Sequence, residues 1–218
     1  MIYKIPVCFI IISVSWVLLY KWAPVKWTPL MLKRSIQNVG EKEYRNIREW
    51  VDLEEISPVM VRAVMASEDS RFIDHNGFAL EEVRKMLKEH KTKGKKIRGC
   101  STISQQVAKN CFTFCGRNWW RKAFETYYTV LIELFWSKER IMEVYLNIAE
   151  TGKGVFGVEA ASQKFFNRSA SRLNMHQAVS VACVLPNPLV RNPKTVISTN
   201  RNKYNITYKR TQRTAYPF

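Results

Sequence analysis

The sequence predicts a mainly α-helical protein led by a membrane-spanning helix, and three observations carry that prediction. Apolar residues recur at helical spacing in segment after segment, helix-start signals precede those segments, and no run of strand-like alternation interrupts them. The first segment differs from the rest, because Ile5 to Tyr20 is uncharged and mostly apolar. As a helix it extends about 24 Å at ~1.5 Å per residue, slightly short of a ~30 Å hydrocarbon core. Tyr3, Tyr20 and Trp22 supply interfacial aromatics, and Lys4 and Lys21 can snorkel to lengthen the span. A cleaved signal peptide is the rival reading. No small-x-small site follows, the next residues being Lys21-Trp22-Ala23-Pro24, so an uncleaved single-span anchor over residues 1–20 is expected.

A basic, proline-punctuated connector follows over residues 21–45, then a globular domain over 46–190. Ser57-Pro58 reads as an N-cap with proline at the first helical position, and Val61, Val64 and Met65 mark the inner face of the helix it starts. Leu80, Val83, Met86 and Leu87 repeat the pattern before it dissolves into the basic run Lys91 to Arg98. That stretch is either a solvated loop or a basic, amphipathic patch held against anionic lipid. Thr102 with Gln105 three residues on fits a capping box for a third helix. Trp119 to Phe135 is apolar nearly all round, which predicts a helix buried in the core. Ser137 caps the next helix, to about Ala149; Gly152, Gly154 and Gly157 break it, Val158 to Phe166 resumes, and Met175 to Leu185 ends at Pro186-Asn187-Pro188. Residues 191–218 carry seven Lys/Arg and no Asp/Glu, and their weak periodicity predicts a surface-bound or partly disordered tail.

The formal charge of +17 favours polyanionic partners: nucleic acid, an anionic membrane surface or phosphorylated substrates. Five cysteines (Cys8, Cys100, Cys111, Cys115 and Cys183) and three histidines show no zinc spacing. Free thiols are the expectation, ahead of a disulfide between Cys111 and Cys115.

Three ordered segments carry chemistry. Glu68 lies at i+7 from Val61, on the inner face of its helix and at the helix C-terminus. Burial and the macrodipole both disfavour its charged form, which suits a general base, against the plainer reading of an exposed glutamate at a frayed end. Ser101 and Thr102 start a helix whose free N–H groups and hydroxyls suit an anion, and Lys109 puts a cation near the face of Gln105 and Gln106. Glu125 sits in the almost wholly apolar helix, where a carboxylate is costly unless paired or functional. Arg121, one turn earlier, can pair with it, and Lys122 is adjacent.

Read together, Glu68-Asp69-x-x-Phe72-x-x-His75-x-Gly77, then Gly99-Cys100-Ser101-Thr102-x-x-Gln105-Gln106-x-x-Lys109-Asn110, then Arg121-Lys122-x-x-Glu125, resemble the peptidoglycan glycosyltransferases of family 51. Ser137 to Asn147 and Gly154 to Ala161 extend the likeness, which covers about Thr28 to Pro188. Cys100 departs from the family pattern, standing where a second glycine is usual, so the loop geometry there is open.

The resemblance implies a lysozyme-like helical head with a small membrane-proximal lobe. It implies Glu68 as general base and Glu125 as the second catalytic carboxylate, holding a metal or orienting the cations. Asp69, Phe72, His75, Ser101, Thr102, Gln105, Gln106, Lys109, Asn110, Arg121 and Lys122 become substrate-binding candidates, with Asp69 and His75 also able to serve only in shaping the turn. A divalent metal (Mg or Mn) is an allowed cofactor and no organic cofactor is expected. The implied partners are lipid II, the nascent glycan strand, the membrane and a cell-wall synthesis or division complex, with no nucleic acid. Basic residues flank both ends of the span and are more numerous after it, which by charge alone points the body to the cytoplasm. The resemblance implies the periplasmic side of the inner membrane. Two alternatives remain: a lysozyme-like glycan-cleaving enzyme, and a membrane-tethered basic protein binding an acidic polymer. For the latter, Trp119 and Trp120 beside Arg117 and Arg121 are the only hint.

Overall fold

The computed structural model describes residues 4–42, 44–94, 101–114 and 119–218. Helix α1 (Lys4–Trp22) is long and apolar enough to cross a membrane, and little of it is buried within the protein. It rests on the head from Phe9 onward. Val17 is buried, its carbonyl accepts a 2.9 Å bond from the Trp136 indole, and Arg140 donates to the carbonyls of Tyr20 and Ala23. Those carbonyls belong to the helix end, where unsatisfied acceptors and the dipole both favour a cation.

The expected connector contains a helix of its own, α2 (Pro29–Gln37), with Pro29 at its first position and the Thr28 hydroxyl accepting from Met31 N–H. A two-residue strand β1 (Ile47–Arg48) precedes α3 (Pro58–Glu68). Ser57 starts α3 without capping it, since its hydroxyl donates instead to the Leu173 carbonyl at 3.0 Å. Helices α4 (Leu80–Lys93), α5 (Ile103–Phe112), α6 (Trp119–Phe135) and α7 (Lys138–Ile148) follow, the last two joined at Ser137, whose hydroxyl caps α7. A three-stranded sheet adds an element the periodicity did not predict. In it β3 (Val155–Phe156) runs parallel to β1 and antiparallel to β2 (Glu150–Gly152). Strands this short leave no alternation to read. Gly157 ends the hairpin at φ +83°, and a Cβ there would lie 2.7 Å from the Asn147 carbonyl oxygen, so only glycine lets α8 (Val158–Phe166) start so close to α7.

The core centres on α3, whose Met60, Val61, Ala63 and Val64 have no exposed surface, packed on α9 (Met175–Val184). Beyond the short α10 (Val196–Thr199), the tail forms a helix of thirteen residues, α11 (Arg201–Arg213), packed on α3 and α9. Of the two expectations for this tail, the surface-bound one holds and the partly disordered one is corrected for α11. Its inner stripe is Tyr204, Thr207 and Thr211, so helical spacing is present but the residues are too polar to register as apolar periodicity.

Helix α6 also departs from expectation. It buries Glu125, Tyr128, Thr129 and Ile132 on one face and leaves Trp119, Trp120, Val130 and Leu134 exposed on the other. Part of the outer face is covered by α1, where Phe9 packs on Phe124 and Tyr127 and the Ser13 and Tyr127 hydroxyls meet at 2.7 Å. The apolar stripe of α4 is likewise unburied. An outer apolar surface is tolerable in a chain carrying a membrane-span candidate, where the surroundings need not be water.

Candidate functional site

Glu68 is the last residue of α3 and half-buried, neither inside the core nor free at a frayed end. Its carboxylate accepts from the Ser67 hydroxyl at 3.1 Å and from the Gln106 amide at 3.2 Å. Asp69 caps the helix and turns inward: one oxygen accepts Ile103 N–H at 3.0 Å, and His75 Nε2 lies 3.0 and 3.1 Å from the two oxygens. The first residue of α5 is thereby tied to the end of α3, which fixes where Gln106 meets Glu68.

The start of α5 is filled from within. Thr102 and Gln105 form the expected capping box, the Thr102 hydroxyl accepting Gln105 N–H at 3.1 Å and the Gln105 side chain accepting Thr102 N–H at 3.0 Å. The same hydroxyl donates to the Gly77 carbonyl at 2.7 Å. With Ile103 N–H given to Asp69, the anion expected at this helix start is replaced by the protein's own carboxylate. Asp69, Thr102, Gln105 and Asn110 are buried and Phe72 wholly so; of these only Asn110 reaches the wall of the main cleft.

Glu68, Ser101, Gln106, Lys109 and Asn110 line one cleft of about 750 Å³, and Tyr145 joins them, its hydroxyl donating to Gln106 at 3.4 Å. Burial pushes the Lys109 ammonium pKa down, Arg121 and Lys122 act in the same direction, and Glu125 and Glu68 oppose them. Glu125 is only 2% exposed. Its two oxygens face Arg121 Nη1 at 2.8 Å and Lys122 Nζ at 2.5 Å. The carboxylate therefore gathers cations. Among the described residues no group of three or more His, Cys, Asp or Glu could hold a metal, and both Glu125 oxygens are engaged by cations.

Residues that sequence reasoning missed complete the cleft. Arg34 of α2 makes a two-pronged pair with Glu150, its Nε and Nη2 each 2.8 Å from a carboxylate oxygen, and both line the wall. Arg191 and Lys203 enter from the C-terminal region. Burial lowers the Lys203 pKa while Glu68 opposes, which marks the two as electrostatic neighbours. Arg210, also on α11, lines a smaller pocket that shares Glu68 and Ser101 with the cleft. The signal for these was the acid-free run of charge after Arg191. Cys8, Cys111 and Cys183 are free thiols, and burial pushes the thiols of Cys111 and Cys183 up, so neither is a nucleophile near neutral pH. Cys100, Cys115 and the basic run from Lys95 to Arg98 lie outside the described residues.

A half-buried carboxylate facing a cleft walled by cations is suited to deprotonating a neutral nucleophile while an anionic group departs. A family model described as Transglycosylase matches residues 33–212. The chain belongs to the transglycosylase family. Among curated relatives, the biosynthetic peptidoglycan transglycosylase of Bdellovibrio bacteriovorus is 52% identical over 188 residues, covering 86% of this chain and 75% of that protein. The protein of the same name from Haemophilus influenzae is 44% identical, covering 86% and 77%. That from Bacteroides thetaiotaomicron is 49% identical, covering 79% and 70%. This transglycosylase is accordingly a glycosyltransferase, and the family match takes in nearly all of α11.

Proposed function

We propose that this transglycosylase polymerises lipid II into β-1,4-linked glycan strands, releasing undecaprenyl pyrophosphate with inversion at C1. The observation that carries the proposal is the shared cleft, where Glu68 and Lys109 face one space with Gln106 between them. The relatives' names supply peptidoglycan as the product class. Glu68 takes the proton of the acceptor's 4-hydroxyl as that oxygen attacks C1 of the growing strand. The C1–O bond to pyrophosphate breaks, and its electron pair leaves with the phosphate. Lys109, Arg121 and Lys122 meet the charge that develops there, and Glu125 keeps the cations gathered. A carboxylate on one side and a leaving group on the other is the logic of inversion, with a sugar hydroxyl in place of water. A glycan-cleaving reading has no use for the cations. The anchor and product class support a body on the periplasmic face of the inner membrane, where lipid II and the nascent strand meet a cell-wall synthesis complex.

The test is polymerisation of purified lipid II by the detergent-solubilised protein beside Glu68→Gln. Lysozyme-digestible polymer from the wild type, and a loss of about 10³-fold or more in the variant, is the expected result. Equal polymer from both sinks Glu68 as base, and none from the wild type sinks the transferase.

A further inference from the structure

Beyond the residues of the reaction itself stands a half-buried ion pair between Glu133, near the end of α6, and Lys138, the first residue of α7. Lys138 Nζ lies 2.8 Å from Glu133 and donates a 2.6 Å bond to the His75 carbonyl, and it rests 4.6 Å above the Phe72 ring. Glu133 also accepts from the Ser104 hydroxyl in the first turn of α5. Gly77 closes against the same place: at φ +81°, an added Cβ would lie 2.7 Å from Thr129 Cγ2 and 2.9 Å from Glu133 Cγ. The pair thus touches three things at once: the loop that follows Glu68, the helix that carries Gln106 and Lys109, and the helix that carries Glu125.

We infer that Glu133 and Lys138 are positioning residues that set the separation of the Glu68 and Glu125 halves of the site. The inference rests on the transferase reading. Glu125 lies about two turns before Glu133 on α6, so a shift at Glu133 is carried along a rigid helix to the cation cluster. At the other end, Lys138 holds the His75 carbonyl, His75 holds Asp69, and Asp69 is the neighbour of Glu68 and the partner of Ile103 N–H. The contacts are short and half-buried or buried, and their partners sit on different elements, so a shift at one is passed to groups beside the reacting ones. Neither residue lines the cleft, and their bonds go to Ser104 and to the His75 carbonyl.

The experiment uses two variants that keep charge and fold while moving the contact, Lys138→Arg and Glu133→Asp. A neutral double variant, Lys138→Met with Glu133→Gln, accompanies them; it leaves no buried charge unpaired. Thermal melting reports the fold, and lipid II polymerisation reports kcat and KM. The expected result for the two single variants is a kcat lower by about tenfold to a hundredfold, with KM within about twofold and melting near wild type. Arg, which keeps the charge, should retain more kcat than the double variant. Wild-type kcat in both folded single variants overturns the inference and leaves the transferase standing, whereas a wild type without polymer removes the reading beneath it.

Discussion

At the residue scale, Lys109 is the group whose chemistry is most exposed to pH. Its buried position disfavours the ammonium, so its pKa lies below that of an ordinary lysine. If the charged form holds the leaving group, activity is full below that pKa and falls as pH rises through it. The enzyme should therefore lose activity on the alkaline side earlier than a solvated lysine would dictate. Lys109→Arg, whose guanidinium stays charged, should remove that limb or move it upward. A limb that stays in place in the Arg variant assigns it to another group. Glu125 was legible because a carboxylate stands out in an apolar helix, and the pairing that explains it came from spacing alone. The inward turn of Asp69 was not legible. A sequence shows that a helix start is free, but not that a carboxylate distant along the chain fills it.

At the scale of elements, those that announce themselves do so through caps and spacing. The capping box of α5 and the Ser137 cap of α7 stand where Thr102-x-x-Gln105 and Ser137 predicted them, because such contacts are local. Helix α11 was hidden for the opposite reason: its inner residues are Tyr204, Thr207 and Thr211, and its outer ones are mostly charged or polar. Tyr204 anchors it, nearly buried and bonded through its hydroxyl to His176 at 2.6 Å. Tyr204→Ala should cost about 3 kcal/mol by lost burial and cavity, seen as a lower denaturant midpoint. Because α11 carries Lys203, the same variant should lose polymerising activity under conditions where the rest of the fold persists. An active variant with a released α11 would separate Lys203 from the reaction.

At the scale of the whole molecule, the anchor and head are one packed unit. The ties from Trp136, Arg140 and Tyr127 to α1 predict that removing residues 1–22 lowers the melting temperature of the head in detergent, beyond changing where it resides. An unchanged melt would make α1 a tether alone. The apolar outer face of α6, misread from sequence as core, belongs to this scale, since composition reports hydrophobicity without saying whether protein or lipid meets it. The placement of α11 has a consequence for how the cleft is completed. Lys203 and Arg210 stand far along the chain from Glu68, so the walls around that carboxylate close only once α11 has docked on α3 and α9. A site assembled from distant parts of the chain is therefore complete only in the folded whole, however early its single elements form.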